Sequence, residues 1–223
     1  MSDDVWSLVK FLTNSARRTW KKPDAGLWEF RNRTAHFTFS KVLSWVALDR
    51  GIKIANKLDK KMAADFWRPI AEEIRNEIFE KGWSTELQSF TQIFGSKDVD
   101  TSSLEFWRYG FLSKSDPHWI STVLRCEEAL LHNGLAFRYT APDDFGSPHN
   151  AFVLASLWLA QAFYSIDKKE KAFELLERVL SHTNHLGLLS EHIDIKTGEL
   201  LGNFPQAYSH MAIINTANLL SRG

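Results

Sequence analysis

Two acidic loops, far apart in the chain, contain the residue types that could carry out a reaction. The first holds Asp24, Trp28 and Glu29, and the second holds Glu191 followed by His192. Hydrolysis of a glycosidic bond needs such a pair, because one carboxylic acid protonates the leaving oxygen and one carboxylate acts on the opposite face. Only a closed or strongly curved fold can bring these loops together. Solvated loop acids with no catalytic role are the alternative.

The composition excludes several classes of protein. Hydrophobic residues make up 44% of the 223 residues, which excludes disorder. Lys plus Arg and Asp plus Glu are both 27, so no excess of positive charge favours nucleic acid. The chain starts without a signal peptide's basic and apolar regions and has no apolar stretch of about 18 residues. With its single cysteine, Cys126, we expect a soluble, cytoplasmic protein without membrane contact.

Helical periodicity dominates the elements that must position these loops, and strand alternation is nearly absent. The pattern predicts helices over 3–18, 36–58, 60–81, 118–131, 150–166, 168–180 and 205–220, with Pro205 as the first residue of the last one, and a short helix after Asp100. A small hairpin is predicted around 196–198. Seven or eight helices with loops between alternate pairs describe a helical solenoid or a closed toroid. Because no 33- or 34-residue consensus repeat is visible, we favour the toroid.

Several long stretches resemble one enzyme family. The run PDAGLWEFRNRTAHFTFSKVLSWVALDRGIKIA, the segments LGLLSEHID and LGNFPQAYSHMAIINTA, and the weaker stretches FTQIFGSKDVDTSSL and LAFRYTAPDDFG resemble glycoside hydrolase family 15, which contains glucoamylases, glucodextranases and bacterial family trehalases. The resemblance implies an all-α, (α/α)6 toroid-like barrel of inner and outer helices. It covers roughly the last two-thirds of the family's catalytic domain, so we expect residues 1–223 to form a single, incomplete helical domain.

The resemblance also implies roles for individual residues. Glu29 corresponds to the general acid and Glu191 to the general base of an inverting reaction, with room for a water between carboxyl groups roughly 6.5 to 9.5 Å apart. Arg138 and Tyr139 resemble a substrate-binding pair. Trp28 is the expected platform for a sugar ring.

Three further residues are candidates near the two acidic loops. Asp24 either contacts substrate or supports the loop that carries Glu29. His36 and His210 are expected to be hydrogen-bonded supports behind the acids rather than catalytic groups.

The resulting functional hypothesis is an exo-acting, inverting hydrolase of α-linked glucosides, glucoamylase-like or trehalase-like, that releases glucose from an oligosaccharide or disaccharide. The alternative is a truncated, non-catalytic sugar-binding domain, because the early helices that grip the terminal glucose have no counterpart in this chain. An open helical edge would then favour self-association or a partner chain. His149 stands where many bacterial members have a glutamate, which leaves the linkage undecided.

No cofactor is expected. His182 and His185, with His192 nearby, could suggest a metal site, but histidines are common where a helix ends, so we expect no metal. Cys126 is expected to be a small buried residue rather than a nucleophile.

Overall fold

Seven α-helices dominate the computed structural model, which describes residues 2–144 and 146–221. They are α1 (Asp3–Thr19), α2 (Thr38–Lys57), α3 (Lys61–Glu77), α4 (Pro117–Leu130), α5 (Val153–Ser165), α6 (Lys169–Leu180) and α7 (Ala207–Leu220). The strands have two residues each: β1 (Trp83–Ser84), β2 (Ser89–Phe90), β3 (Leu131–His132), β4 (Leu135–Ala136), β5 (Ala151–Phe152), β6 (His192–Ile193) and β7 (Leu200–Leu201). No helix in this described part is long and apolar enough to cross a bilayer.

The chain separates into two compact units. The first comprises Met1–Ser84 and Thr91–Ser96, and the second comprises Thr85–Phe90 and Lys97–Gly223. Helices α1 to α3 therefore belong to the first unit, and α4 to α7 belong to the second. That residues 1–223 form a single domain stays a prediction.

The first unit is built on α2, which packs against both α1 and α3. Helix α1 begins with the Ser2 side chain accepting from the Val5 amide, and its first turn is acidic while its last turn is basic, as the helix dipole favours. Gly51 lets α1 approach α2 closely, because an added Cβ atom would lie 2.5 Å from the Thr13 hydroxyl oxygen. Trp67 on α3 donates a 3.1 Å hydrogen bond to Asn14 on α1.

The second unit has α5 at its centre. Helix α5 is apolar on all sides and mostly buried, and α4, α6 and α7 pack around it. Phe90, Phe106 and Phe111 form an edge-to-face cluster with ring centroids 5.5 to 6.2 Å apart. Strands β5, β6 and β7 form a three-stranded antiparallel sheet with β6 in the middle.

The predicted helices are confirmed, with differences at their ends. The helix predicted over 150–166 begins at Val153, because Ala151–Phe152 form strand β5. The last helix begins at Ala207, so the prediction that Pro205 is its first residue is wrong; Gln206 precedes the helix in an extended conformation. The third helix does not continue regularly to 81, because a π-helical turn at Ile78–Gly82 ends it. The predicted short helix after Asp100 is a 3-10 helix at Thr101–Glu105, and the Asp100 side chain accepts from the Ser102 amide.

The predicted hairpin around 196–198 is also confirmed, because β6 and β7 pair on either side of it. A second hairpin, β3 with β4, was not predicted. Its turn is Asn133-Gly134, and both residues have positive φ, which these residue types tolerate. The two-residue strands are too short to show alternation in the sequence.

Candidate functional site

The loop that carries Glu29 is closed at its base by an antiparallel bridge between Asp24 and Ala35, whose amide and carbonyl groups exchange two 2.9 Å hydrogen bonds. Within it, the Glu29 amide donates to the Gly26 carbonyl at 3.3 Å. Glu29 has a φ of 55°, a left-handed conformation that is uncommon for glutamate. Its side chain is exposed, and the neighbouring Trp28 is half-buried.

Asp24 lies within this loop and uses both carboxylate oxygens there. Oδ1 accepts hydrogen bonds from the Gly26 amide at 2.8 Å and from the Ser40 hydroxyl at 2.7 Å. Oδ2 lies 3.6 Å from Nζ of Lys41. Of the two roles predicted for Asp24, these contacts favour support of the loop over contact with substrate.

His36 follows the same loop and is held by its neighbours. Its ring stacks on Phe94, with centroids 6.1 Å apart and planes 15° from parallel. Its carbonyl accepts from the Phe94 amide at 3.0 Å. These contacts fit the supporting role expected for His36.

Glu191 is held by its backbone and by its side chain. Its amide donates to the Asn203 carbonyl at 3.0 Å, and its carbonyl accepts from the Val153 amide at 3.1 Å. Oε2 accepts from the Asn203 side-chain amide at 2.9 Å and faces the Asn203 backbone amide at 3.4 Å. A Cβ atom at Gly202 would lie 3.1 Å from Oε2, so a larger residue there would push the carboxylate away by a few tenths of an ångström.

The segment before Glu191 is tied to α7. The Leu189 amide donates to Nε2 of His210 at 3.3 Å, and the Ser209 hydroxyl donates to the Ser190 carbonyl at 2.7 Å. His210 thus contacts the backbone of the loop rather than Glu191 itself. This position fits the supporting role expected for it.

A cavity of about 230 Å³ lies in the second unit, and two of its lining residues, His192 and Gly202, are neighbours of Glu191. It is lined by Arg138, Asp143, Gly146, Ser147, Pro148, His149, Asn150, His192, Leu201 and Gly202. Arg138 and His149 were both singled out in the sequence. Most of the residues that line the cavity carry hydrogen-bond donors or acceptors, as a hydroxyl-rich ligand requires.

The guanidinium of Arg138 is oriented by two neighbours, Asp143 and Phe152. It lies 3.5 Å from Oδ2 of Asp143 and 5.7 Å from the centre of the Phe152 ring. Tyr139 is 2% exposed, and its hydroxyl donates to the same Asp143 oxygen at 2.7 Å. Burial, followed by this hydrogen bond, raises the pKa of Tyr139. Tyr139 contacts Asp143 and is not one of the residues that line the cavity, and its role in substrate binding stays a prediction.

His192 is the residue at this site whose role sequence reasoning missed. Its ring lies against Phe152, with centroids 5.0 Å apart. Burial and, secondarily, the Arg138 charge lower its pKa, although Glu191 opposes them. The imidazole is therefore held neutral near pH 7 and can both donate and accept hydrogen bonds. The signal for it was its position directly after Glu191.

The other candidate chemistries lie elsewhere. Just past the end of α6, Nδ1 of His182 donates a 2.9 Å hydrogen bond to the Arg178 carbonyl. Across residues 2–144 and 146–221, no three His, Cys, Asp or Glu side chains group as metal ligands would. Cys126 is fully buried, and burial raises the pKa of its thiol to about 12, so it is not a nucleophile near neutral pH.

Glu29 thus belongs to the first unit and Glu191 to the second. Each is placed by its own hydrogen-bonded loop. The loop of Glu29 rests on Asp24, and that of Glu191 rests on Asn203 and α7.

The fold is shared with solved glycosidases. A wild-type glycosidase aligns with a TM-score of 0.78 at 16% identity, covering 97% of this chain and 64% of that one. A bacterial glucoamylase complexed with acarbose aligns with a TM-score of 0.76 at 17% identity, covering 97% and 38%. Likeness at this identity establishes the fold, which is all-α and of the (α/α)6 barrel type, as expected from the sequence.

Sequence comparison gives the family. The family model described as glycosyl hydrolases family 15 matches residues 1–218. A trehalase of Thermoplasma volcanium is 37% identical over 214 residues, and a trehalase of Mycobacterium tuberculosis is 39% identical over 216. The chain belongs to glycosyl hydrolases family 15. The matches cover 96% of this chain but only 34% and 32% of these two relatives, so the chain spans about a third of their length.

Proposed function

We propose that this chain supplies both carboxyl groups of an inverting hydrolase of α-linked glucosides. In this proposal Glu29 is the general acid and Glu191 the general base. The observation that carries it is the position of Glu191, which accepts from Asn203 and stands next to His192 and Gly202, two residues that line a small polar cavity together with Arg138. Membership in the family and the resemblance of the two acidic loops support the assignment of Glu29.

The proposed reaction uses each residue in one step. Glu191 accepts a proton from a water molecule as the oxygen of that water attacks the anomeric carbon. Glu29 gives its proton to the glycosidic oxygen as the bond to that carbon breaks, so glucose and the departing sugar leave as neutral alcohols. Attack from the face opposite the leaving group inverts the anomeric configuration.

Recognition is assigned to the cavity and to the aromatic side chain beside Glu29. The guanidinium of Arg138, aimed by Asp143, donates to glucose hydroxyls, and Trp28 stacks on the apolar face of a sugar ring. His149, which lines the cavity, makes a third contact to the sugar. The volume of about 230 Å³ lies below the usual range for drug-sized ligands, which suits one sugar ring.

Trehalose is the substrate we propose first. The relatives at 37% and 39% identity are named trehalases, whereas the structurally similar glucoamylase is only 17% identical. Maltose and longer α-glucans are the second choice, because the fold is shared with glucoamylase. The expected cytoplasmic location also belongs to this proposal.

The deciding experiment compares Glu29→Gln and Glu191→Gln with Glu199→Gln, an exposed glutamate between β6 and β7. Glucose release from trehalose and maltose should fall by at least about 100-fold in the first two variants and stay unchanged in the third. Proton NMR early in trehalose hydrolysis should show one β-glucose for each α-glucose, because the attacked ring inverts and the departing glucose keeps its α configuration. Near-normal turnover by Glu191→Gln, or release of α-glucose alone from trehalose, would overturn the proposal.

A non-catalytic sugar-binding domain is the weaker alternative, because the relatives at 37% and 39% identity are named as enzymes. Exposed apolar side chains nevertheless mark two helices for association. On α7 they are Tyr208, Met211 and Ile214, each about 60% exposed, and on α1 they include Leu8 and Phe11. We propose that these faces bind a second copy of this chain, which light scattering on the purified chain would show as a mass above that of the monomer.

A further inference from the structure

We propose that Lys41 is a positioning residue for Glu29. Its buried ammonium group holds Asp24, and Asp24 shapes the turn on which Glu29 stands. The inference rests on the proposed function, because it assigns Lys41 to the loop of the general acid.

Lys41 is buried to an unusual degree for a lysine. Its side chain is 3% exposed, whereas lysine is almost never fully buried unless it is paired. Nζ donates a 2.5 Å hydrogen bond to the Lys22 carbonyl, just before the loop, and lies 3.6 Å from Oδ2 of Asp24. Burial lowers the pKa of Lys41, and the Asp24 and Glu77 carboxylates oppose that change, so the ammonium form is retained by its neighbours.

Asp24 transmits this anchor to the loop. While Oδ2 faces Lys41, Oδ1 accepts from the Gly26 amide and from the Ser40 hydroxyl. The carboxylate therefore joins two consecutive residues at the start of α2 to the turn that begins at Gly26. Rotation of the carboxylate away from Lys41 would break the bond to Gly26 as well.

Glu29 depends on that turn. Its left-handed backbone costs roughly 1 kcal/mol or more and persists only where the surroundings impose it. The surroundings are the Gly26 carbonyl, which accepts from the Glu29 amide, and Phe37, whose ring packs against Gly26 and Phe30. With its ammonium group buried and engaged, Lys41 acts on Glu29 through Asp24.

The test compares Lys41→Met with Lys53→Met in the full chain. Lys53 lies on the same helix but is 60% exposed and pairs with Asp49, so it controls for loss of a positive charge on α2. Each variant is assayed with trehalose, which needs a proton on its leaving group, and with α-glucosyl fluoride, whose leaving group needs little. Glu29→Gln is measured beside them as the reference for a lost acid.

For Lys41→Met we expect kcat on trehalose to fall about tenfold or more, with less than about twofold change on the fluoride. Lys53→Met should match the unaltered chain on both substrates. Equal losses on both substrates by Lys41→Met would overturn the inference, because a general loss of structure does not discriminate between leaving groups. Absence of this discrimination in Glu29→Gln would instead overturn the proposed function.

Amide hydrogen exchange supplies a measurement that does not depend on turnover. The amides of Glu29 and Phe30, which are bonded to the Gly26 and Ala25 carbonyls, should exchange at least about tenfold faster in Lys41→Met and not in Lys53→Met. Asp24→Asn, which keeps the shape of the side chain, should show the same acceleration if Lys41→Met does not fold. Unchanged exchange at both amides in a folded variant would overturn the inference while leaving the proposed function intact.

Discussion

The hydroxyl group of Tyr139 donates a 2.7 Å hydrogen bond to Oδ2 of Asp143. This contact fixes the carboxylate from below, and the same oxygen lies 3.5 Å from the Arg138 guanidinium. The backbone is pinned as well, because the Thr101 amide donates to the Arg138 carbonyl at 3.0 Å. The arginine that lines the cavity is thus aimed by a carboxylate that is itself held in place.

Replacing Asp143 by asparagine should weaken substrate binding. The substitution keeps an acceptor for Tyr139 but removes the charge that aims Arg138, and charge-assisted contacts contribute about 1.5 to 3 kcal/mol. We expect KM for trehalose to rise about tenfold with a smaller change in kcat. Steady-state kinetics on Asp143→Asn measure this, with Asp167→Asn, an exposed residue between α5 and α6, as the control. An unchanged KM would show that Arg138 needs no such support.

Replacing Gly202 by alanine should disturb Glu191 directly. Gly202 has a φ of +78°, and the new methyl group would lie 3.1 Å from both Oε2 of Glu191 and Nδ1 of His192. We expect kcat to fall about tenfold or more, because a small displacement of a catalytic group has a large effect on rate. Gly187→Ala is the matched control, since Gly187 has a φ of +74° and open space where the methyl group would go. Equal kinetic losses in both variants would assign the effect to the backbone alone.

Replacing Glu105 by glutamine should stabilise the protein at alkaline pH. The residue is 6% exposed, and burial raises its pKa to about 7, although Arg108 opposes this. Because its pKa in the fold exceeds that of the unfolded chain, about 4.3, the folded state binds more protons between these values and stability falls as pH rises through this window. Glutamine avoids that loss.

Urea unfolding of Glu105→Gln should therefore give a gain of about 2 to 3 kcal/mol at pH 8 and little gain at pH 4.5. The exposed Glu199→Gln should show neither effect. The same gain at both pH values would mean that the carboxylate of Glu105 is not the source of the instability.

Sequence reasoning succeeded where one residue type leaves a periodic or local mark. The amphipathic helices were predicted because their apolar residues recur at one face, and the hairpin before Leu200 was predicted from its turn residues. Glu29 and Glu191 became candidates as acids in two polar loops, and the long matches to one family then implied their roles. Such patterns can be detected in the sequence without knowing which distant residues pack together.

The remaining features depend on burial, which no short window of sequence reports. Lys41 and Glu105 have the residue types of a solvated surface, yet both are buried because distant segments cover them. The contact between Arg138 and Asp143 depends on how their loop folds, and the spacing of the two residues in the sequence does not predict it. The start of α7 was misplaced by two residues, because proline suits a first helical position without requiring one.

The backbone contacts that hold Glu191 are separate from the side chains that line the neighbouring cavity. Both of its peptide groups are engaged, with Asn203 and Val153, at the edge of a sheet that pairs β6 on both sides. His149 and Asn150 line the neighbouring cavity but precede β5, so their side chains can be exchanged without altering those pairings. Under the proposed function, substitutions in this short stretch can therefore change which sugar binds while leaving the carboxylate of Glu191 in place.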